Sequence, residues 1–431
     1  MKILIVNTFD KGGAANACLR LYEDLLNENI AASLLLQNKK NNIPNAHTLN
    51  PNQKKQSVIS KIQGKFRRVL KKLKLLVKEP VSEDNAFLKS RSKGLEWFSF
   101  PTSNFDITNS PLYQEADIVN LHWVAGFLDY ESFFKKNKKP LIWTLHDMHP
   151  FTGGEHYEEK YLGMDADGFP LKRAKTNYEK NVSSKNQRLI IKALKKVQNL
   201  TIVAPSTWLA TEAKKSDAFQ NRKVYCIPYG LNSEIFKPHD RKYSRELLNL
   251  PKDKKVILFV ADSISNNRKG FVYLKKAFEK LERNDVVLCA IGQSDNAFDT
   301  KNNVLELGLI QDERIMSIAF SAADVFVIPS LMDNLPNTVL ESLMCGTPVI
   351  GFPVGGILDM VAHGKNGLLA KEVSVDALLE SLNIFLNNIE HFDRKVIRTE
   401  AIKKYDLKVQ TKAYLTLFEN ILDKKNDKRT Y

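Results

Sequence analysis

Short apolar strand patterns alternate with helical patterns along both halves of this 431-residue chain. In the first half, the sequence predicts a helix at residues 14–27 and strands at 2–7, 32–37, 118–122, 141–145 and 200–204. In the second half, it predicts strands at 256–261, 286–291, 304–307, 325–328 and 349–352, and helices at 271–281, 312–322, 337–344 and 375–386. Strands that alternate with helices are typical of parallel sheets covered by helices on both faces. The sequence therefore predicts an α/β fold with two Rossmann-like, doubly wound domains that face each other across a cleft.

The length of the chain supports two domains, because a single hydrophobic core rarely extends over 431 residues. Residues 229–255 are rich in proline, asparagine and charged residues, as expected for a linker. We therefore expect a first domain at 1–230, a second domain at 231–405, and a C-terminal helix at 406–431 that returns to the first domain. Two insertions, 38–111 and 152–186, interrupt the alternation within the first domain.

The chain carries a formal net charge of +15, which implies an acidic partner. Much of this charge lies at residues 54–78, where ten Lys and Arg residues occur without any acid. The apolar residues of this segment follow a helical spacing, which predicts a basic amphipathic helix that binds an anionic membrane surface. A helix that packs on its own domain and exposes a solvated basic face is an equally open interpretation. Nucleic acid is not an expected partner, because no zinc-finger spacing, aromatic RNA-binding motif or helix-turn-helix is recognisable.

Hydropathy and cysteine usage indicate the cellular compartment. No apolar run approaches the roughly 18 residues that would span a bilayer, and the first apolar strand is too short for a signal peptide. The cysteines, at positions 18, 226, 289 and 345, are scattered without metal-type spacing. We therefore expect free thiols in a reducing cytoplasm, and a protein that is peripheral at the inner face of the cell membrane.

Residues 329–351 contain the most informative motif, a buried strand end followed by an acidic loop, a helix and a second buried strand. Pro336 suits the first turn of that helix and Gly346 suits its end. The free N–H groups of such a helix form an anion site above the strand ends. If the intervening residues were all helical, Asp333 and Glu341 would lie about 12 Å apart. A retaining glycosidase needs its two carboxyl groups about 5 Å apart, so ligand holding is the better role for this pair.

This motif closely resembles the signature of the family-4 retaining glycosyltransferases, with Asp333 in place of the usual first glutamate and Glu341 matching the second. Other motifs of that family follow in the right order: an interdomain crossing at 227–238, a Lys-Gly phosphate clamp at 268–271, and the entering strand at 321–330. The resemblance implies the GT-B fold, in which two Rossmann-like domains face each other. It is strongest to bacterial enzymes that build surface polysaccharide. An ordinary strand–helix turn with solvated acids is the alternative interpretation.

In the second domain, the resemblance implies that Lys269 and Arg268 stabilise the charge that develops on the leaving diphosphate. Relatives carry an arginine several residues earlier, where this chain has no basic residue. Arg268 is therefore the candidate replacement, with a solvated charge at a helix start as the alternative. Asp333 would lie close to the donor sugar, and Glu341 would hold the hydroxyls of the donor ribose. The other predicted donor-binding residues lie in turns and at the helix start, at Gly12, Gly13, Gly308, Asn334, Leu335, Gly355 and Gly356.

In the first domain, His146 and Asp147 follow the strand predicted at 141–145. The resemblance places a histidine beside the sugar here, so His146 is a catalytic candidate and Asp147 an acceptor-side candidate. His122 and Trp123, at the end of the preceding predicted strand, are further acceptor-side candidates. A lone histidine is more often structural, and this interpretation stays open. Relatives also carry a cysteine where this chain has Glu155, so the shape of the following insertion is not predicted.

The resemblance to this family implies a retaining, metal-independent hexosyl- or N-acetylhexosaminyltransferase that uses a nucleotide sugar. Asp165 and Asp167 resemble a metal-binding pair but lie in a polar insertion rather than after a buried strand, so we expect no metal site. We also expect no cofactor, a UDP-sugar in preference to a GDP-sugar, and a glycan or polyprenyl-pyrophosphate-linked acceptor in bacterial surface polysaccharide synthesis. The alternatives are a sugar-nucleotide epimerase or hydrolase of the same fold, and a non-catalytic protein that binds lipid or nucleic acid.

Overall fold

The computed structural model describes residues 1–51, 83–293 and 303–427. The basic segment at 54–78 lies outside these residues. The described part of the chain forms two parallel sheets, which confirms the predicted α/β class and the pair of Rossmann-like domains. No helix in it combines the length and the hydropathy needed to cross a membrane.

The first sheet has seven parallel strands in the order β3-β2-β1-β4-β5-β8-β9 within the described residues. Its strands are β1 (Lys2–Phe9), β2 (Ala31–Asn38), β3 (Ala46–Thr48), β4 (Ile118–Leu121), β5 (Leu141–Thr144), β8 (Leu200–Ala204) and β9 (Val224–Cys226). Its helices are α1 (Gly13–Asn27), α2 (Glu83–Ser90), α3 (Pro111–Glu115), α4 (Tyr130–Lys136), α5 (His149–Thr152), α6 (Asn177–Leu194) and α7 (Thr207–Lys215). Its central strands are buried on both faces, which is typical of parallel sheets covered by helices.

The second sheet has six parallel strands in the order β12-β11-β10-β13-β14-β15, again within the described residues. Its strands are β10 (Lys255–Ser263), β11 (Val286–Gln293), β12 (Val304–Glu306), β13 (Val325–Ile328), β14 (Val349–Gly351) and β15 (Gly367–Leu369). Its helices are α8 (Arg241–Leu247), α9 (Phe271–Glu279), α10 (Glu313–Ala322), α11 (Asn337–Met344), α12 (Ile357–Met360), α13 (Val375–Asn387) and α14 (Arg394–Tyr405). Each strand predicted from the sequence is present in one of the two sheets.

The chain crosses between the domains twice, at neighbouring points. Leu231 donates its N–H to the carbonyl of Tyr405 and accepts a hydrogen bond from the N–H of Leu407. The last helix, α15 (Leu407–Asp427), then packs on α1. The hydroxyl of its buried Tyr414 lies 2.9 Å from the Thr144 hydroxyl at the end of β5. The C-terminal helix is thus part of the first domain's core.

The insertion that follows α5 also joins the domains. It contains an antiparallel pair, β6 (Tyr161–Met164) and β7 (Pro170–Lys172). Gly168 in the turn of this pair accepts a 3.1 Å hydrogen bond from the N–H of Val375, the first residue of α13. The hydroxyl of Tyr273 in α9 donates to the carbonyl of Gly163 at 3.3 Å. A segment of the first domain therefore holds the outer face of the second.

Candidate functional site

A cleft of about 900 Å³ lies between the carboxyl ends of the two sheets. In parallel α/β sheets, ligands bind at this edge. Loops after β1 and β5 form its first-domain wall, and loops after β10 and β13 form the opposite wall, with α1 and α11 beside them. Both insertions contribute a side chain to the cleft, Glu96 from the earlier one and Tyr157 from the later one.

The structure brings most of the predicted site residues together around this cleft and leaves five outside its lining. Those that line it are Gly12, Gly13, His146, Asp147, Arg268, Lys269, Asp333, Asn334, Leu335 and Glu341. Those that do not are His122, Trp123, Gly308, Gly355 and Gly356. The packing of these five residues is described below.

Two basic residues and one acid form a compact group at the end of β13. Lys269 Nζ lies 2.7 Å from Asp333 Oδ2, and Arg268 Nη1 lies 3.2 Å from the same oxygen. The two basic residues lie on a single 3₁₀ turn whose N-cap, Asn266, accepts the N–H of Arg268 at 3.0 Å. Gly270 ends the turn in the left-handed region with a φ of 69°. A Cβ there would overlap with the carbonyl of Pro329, so glycine allows the turn to reach the β13 loop.

Arg268 is buried, which excludes the interpretation of a solvated charge at a helix start. Its Nε donates to Glu96 Oε1 at 2.6 Å, and its guanidinium carbon lies 4.3 Å from the centre of the Tyr157 ring. Burial lowers the pKa of Arg268, but Asp333 and Glu96 outweigh this effect and raise it overall. Arg268 therefore stays charged. Through Glu96 and Tyr157 it joins both insertions of the first domain to the second domain.

Asp333 is ionised in this environment. Burial raises the pKa of its carboxyl, but Lys269 and Arg268 outweigh burial and lower the pKa to about 2. The side chain is one of the least exposed at the site. An incoming anion would have to compete with this carboxylate for the ammonium group of Lys269.

Glu341 lies on the buried face of α11 and contacts the first domain. Its Oε1 is 3.3 Å from Nη2 of Arg20, a buried residue of α1. The same Arg20 nitrogen lies 2.6 Å from Glu313 Oε1, and Arg20 Nη1 lies 3.3 Å from Asn337 Oδ1. Burial raises the pKa of the Glu341 carboxyl, and Arg20 acts against that rise. Arg20 was not predicted, although a charged residue on the apolar stripe of α1, three positions after Ala17, was a visible signal.

The acidic loop at Asp333 and Asn334 is held from behind by the two predicted glycines. Gly356 donates its N–H to the carbonyl of Asp333 at 3.0 Å. A Cβ at Gly355 would overlap with that carbonyl, and a Cβ at Gly356 would overlap with the carbonyl of Asn334. These glycines therefore allow close backbone packing behind the loop rather than forming the cleft wall. Gly308, which follows β12, does not line the cleft either, but the next residue, Leu309, does.

Asn334 connects the two walls of the cleft. Its side-chain amide donates to the carbonyl of His146 at 3.0 Å and accepts a 2.6 Å hydrogen bond from the Ser206 hydroxyl. A second contact follows at the start of α11, where Asn337 Nδ2 donates to the carbonyl of Gly13 at 3.0 Å. The Gly12–Gly13 turn is therefore in direct contact with the helix that opens after the acidic loop.

His146 belongs to a buried hydrogen-bonded chain. Its Nε2 lies 3.0 Å from His122 Nδ1, and its Nδ1 lies 2.7 Å from the hydroxyl of Tyr229. Burial lowers the pKa of His146 to about 4, although Asp147 acts in the opposite direction. His146 is therefore neutral near pH 7. His122 supports it from behind and pairs with Asn120, which explains why it does not reach the cleft.

Asp147 is also fully engaged by neighbours. Its Oδ2 accepts Trp123 Nε1 at 2.7 Å and lies 2.6 Å from His156 Nδ1. Its Oδ1 accepts the N–H of His149 at 3.0 Å. Burial raises the pKa of Asp147, and His156 and His149 lower it to about 2 overall. Trp123 thus does not line the cleft itself but donates a hydrogen bond to Asp147, which does. Across the described ranges, no cluster of three or more His, Cys, Asp or Glu side chains is placed to hold a metal ion.

Comparison with protein families gives one match in the second domain. Residues 240–404 match the family model described as "Glycosyl transferases group 1". This range includes Arg268, Lys269, Asp333 and Glu341, so the charged groups of the second-domain wall that were predicted to bind the donor fall inside it.

Curated relatives match over longer but incomplete stretches. A D-inositol 3-phosphate glycosyltransferase of Streptosporangium roseum is 27% identical over 277 residues, or 59% of this chain and 58% of that protein. The putative teichuronic acid biosynthesis glycosyltransferase TuaC of Bacillus subtilis is 28% identical over 184 residues, or 42% of this chain and 45% of that protein. The chain thus spans about half the length of these curated relatives.

Solved structures resemble the chain over almost its whole length. The sucrose-phosphate synthase of Thermosynechococcus elongatus has a TM-score of 0.67 at 16% identity and covers 98% of this chain and 99% of its own. The Anabaena protein HepE, in complex with UDP and glucose, has a TM-score of 0.63 at 16% identity, with 97% and 99% covered. At this identity the likeness concerns the fold. Residues 240–404 therefore match the group 1 glycosyltransferase family, and the chain as a whole has the GT-B fold.

Proposed function

We propose that this protein is a glycosyltransferase that moves a sugar from a nucleoside diphosphate to a hydroxyl group of an acceptor. The observation that carries the proposal is the group formed by Lys269, Arg268 and Asp333 at the start of α11, inside the range that matches the family model. A diphosphate leaving group requires cationic and N–H donors at such a place.

The donor would occupy the second-domain wall. Its diphosphate would replace Asp333 as the partner of Lys269 and would contact the N–H groups at the start of α11. Its ribose hydroxyls would replace Arg20 as the partner of Glu341. The HepE structures, which contain UDP with glucose and UDP-glucose, support a UDP-sugar as the first donor to test. Leu309 and Ile310, which line the cleft after β12, would face the base.

We further propose that the transfer retains the anomeric configuration. Asp333 is held by two cations and is a poor nucleophile, which favours direct attack by the acceptor on the face that the phosphate leaves. The acceptor oxygen bonds to the anomeric carbon as the bond from that carbon to the phosphate oxygen breaks. The electron pair of the broken bond stays on the phosphate, which takes the acceptor proton. The neutral ring of His146, whose two nitrogens are already paired with His122 and Tyr229, would line the sugar site beside the loop of Asp333.

Synthesis of a bacterial surface glycan is the proposed setting, with a glycan or polyprenyl-pyrophosphate-linked acceptor. The name of the Bacillus subtilis relative, which refers to teichuronic acid biosynthesis, is the support for this step. Peripheral attachment to an anionic membrane through 54–78 follows from the charge of that segment alone, and flotation with phosphatidylglycerol vesicles tests it. Equal flotation of a variant with the ten basic residues neutralised would refute the attachment.

A nucleotide-sugar panel tests the proposed function. We expect UDP to raise the melting temperature of the protein and a UDP-hexose to release UDP in the presence of acceptor extract. Lys269→Ala should abolish both effects, and Lys280→Ala, which removes an exposed lysine just after α9, should preserve them. Neither stabilisation nor release with UDP-, GDP-, ADP- or dTDP-sugars would refute the proposal. Formation of a new nucleotide sugar without acceptor would identify an epimerase instead.

A further inference from the structure

Three aromatic side chains form a cluster beside the first-domain wall of the cleft. The ring of Phe9 lies 6.2 Å from that of Trp97 and 5.5 Å from that of Trp123, and the two tryptophan rings lie 6.1 Å apart. Trp97 meets both neighbours at steep angles, of 83° and 63°. It is nevertheless 60% exposed, the largest exposed fraction of any large apolar side chain in the described residues. We call this group the aromatic cluster.

The aromatic cluster is continuous with the cleft at each of its members. Trp97 directly follows Glu96, which lines the cleft and accepts the 2.6 Å bond from Arg268. Phe9 ends β1 and directly precedes Asp10, another lining residue. Trp123 donates to Asp147, which also lines the cleft.

Neighbouring contacts hold the aromatic cluster in place. The indole of Trp123 stacks on His156 with a centroid distance of 5.1 Å and an interplanar angle of 26°. The carboxylate of Asp10 accepts the N–H groups of Lys40 and Asn41, both at 2.6 Å, which fixes the loop after Phe9. An apolar surface that is ordered, exposed and next to a polar cleft is typical of a ligand-binding surface.

We propose that the exposed indole of Trp97, backed by Phe9 and Trp123, is the subsite on which a pyranose ring of the acceptor stacks. The inference rests on the proposed function and adds the chemical class of the acceptor, a carbohydrate. A pyranose presents a face of C–H groups that fits an aromatic ring and a rim of hydroxyls that needs polar partners. Lys11 and Asn41, which line the adjoining part of the cleft, supply such partners. An acyl chain would leave these polar groups unpaired.

Direct binding of sugars tests the subsite without any donor. The full-length protein is titrated with methyl glycosides and disaccharides of glucose, galactose and N-acetylglucosamine, and contacts are read by saturation-transfer difference NMR. We expect at least one glycoside to bind, Trp97→Ala to weaken it by about tenfold or more, and Trp97→Tyr to retain most of the affinity. Tyr243→Ala, which removes another exposed aromatic ring outside the cleft, should leave binding unchanged.

Two parallel measurements separate this inference from the proposed function. Stabilisation by UDP reports the donor site, so its absence together with intact, Trp97-dependent glycoside binding would refute the proposed function and leave the subsite standing. No glycoside binding by the wild type, or equal binding by Trp97→Ala, would overturn the subsite. Loss of binding to phosphatidylcholine–phosphatidylglycerol vesicles in Trp97→Ala, with glycoside binding unaffected, would also overturn it and assign the indole to a membrane.

Discussion

Arg20 of α1 lies 3.3 Å from Glu341 of α11, so that a salt bridge from the first domain occupies the acid predicted to hold the donor ribose. The two side chains are only 8% and 10% exposed. Glu313 shares the same guanidinium at 2.6 Å. Since two carboxylates depend on one buried cation, the bridge couples domain packing to the charge of the site.

We predict that Arg20→Met lowers the free energy of unfolding by about 3 kcal/mol, because it leaves the buried carboxylate of Glu341 without a counter-ion. Glu341→Gln should remove much of that cost, so the double variant should be more stable than the sum of the two changes by about 1 kcal/mol or more. Chemical denaturation of the wild type, the two single variants and the double variant measures these differences.

The exposed pair of Lys2 and Glu115, at 61% and 65% exposure, is the matched control, and its disruption should cost less than about 1 kcal/mol. Strict additivity of Arg20→Met and Glu341→Gln would contradict the prediction.

The contact of Lys269 with Asp333 leads to variants with opposite effects. Because a diphosphate must displace Asp333 from Lys269, we expect Asp333→Asn to bind UDP several-fold more tightly, and Lys269→Ala to bind it at least about tenfold more weakly. Calorimetric titration with UDP measures both. The pKa of Asp333 is about 2, so the gain of Asp333→Asn should not vary between pH 5 and 8.

A second ion pair of the same length serves as the control for these variants. Lys280 Nζ lies 2.7 Å from Asp376 Oδ1, as Lys269 does from Asp333, but its partners are 53% and 70% exposed. We expect Lys280→Ala and Asp376→Asn to leave UDP affinity unchanged. Weaker binding by Asp333→Asn would show that the carboxylate contacts the donor favourably instead of competing with it.

The sequence was sufficient for the parts of this fold that rest on local pattern. Each long apolar strand and the helix at Asn337–Met344 could be predicted, because burial, periodicity and the flanking Pro336 and Gly346 all agree. A run of three residues carries no periodicity, and the three-residue strands β3, β7, β9 and β15 were missed. The strands β12 and β14, which are equally short, were nevertheless predicted. The basic and acidic residues could be assigned to one cleft because they follow the ends of parallel strands.

Contacts between distant segments could not be predicted in the same way. Glu96 reaches Arg268 from an insertion, and nothing in the local sequence indicates a partner 172 residues away. Glu155 stands where the sequence resemblance implies a cysteine. In the structure it is buried among Arg173, Lys175 and Arg91, at 2.8, 2.7 and 3.7 Å. Ion pairs thus anchor the insertion here, an arrangement that depends on side chains placed by tertiary packing.

The glycines behind the acidic loop allow a test of its position. Gly355 has a φ of 54° and Gly364 has a φ of 75°, so alanine is strained at both. Only at Gly355 would the new Cβ overlap with a neighbour, the carbonyl of Asp333, whereas Gly364 has no atom within 4 Å. We therefore expect Gly364→Ala to cost about 1 kcal/mol of unfolding free energy with normal UDP affinity. Gly355→Ala should cost about 2 kcal/mol more and weaken UDP binding, because it displaces the loop. Equal effects of the two alanines on UDP binding would show that the loop does not position the donor.

Glu159, which is bonded to the backbone of Glu96, leads to a prediction about how stability depends on pH. It is buried, its Oε2 accepts the N–H of Glu96 at 2.9 Å, and its Oε1 has no hydrogen-bond partner. Burial raises the pKa of Glu159 to about 7. The N–H of Glu96 and the charges of Arg268 and Arg173 lower this pKa, whereas the negative charge of Glu96 raises it further. The folded protein thus holds a proton that the unfolded chain releases near pH 4.5.

The sign of the effect follows from that difference. The contribution of protonated Glu159 to stability is complete below pH 4.5 and is lost as the pH rises through about 7. Glu159→Gln stays neutral, so its stability relative to the wild type should increase between pH 4.5 and 8 by up to about 3 kcal/mol. His146, whose pKa is lowered to about 4, changes stability in the opposite direction over the acidic range, but it does so in both proteins and cancels in the difference. Urea denaturation at a series of pH values measures the difference, with the exposed neighbour Glu158→Gln as the control for loss of a carboxylate. A difference that stays constant from pH 4.5 to 8 would show that Glu159 is ionised in the folded protein and would contradict the prediction.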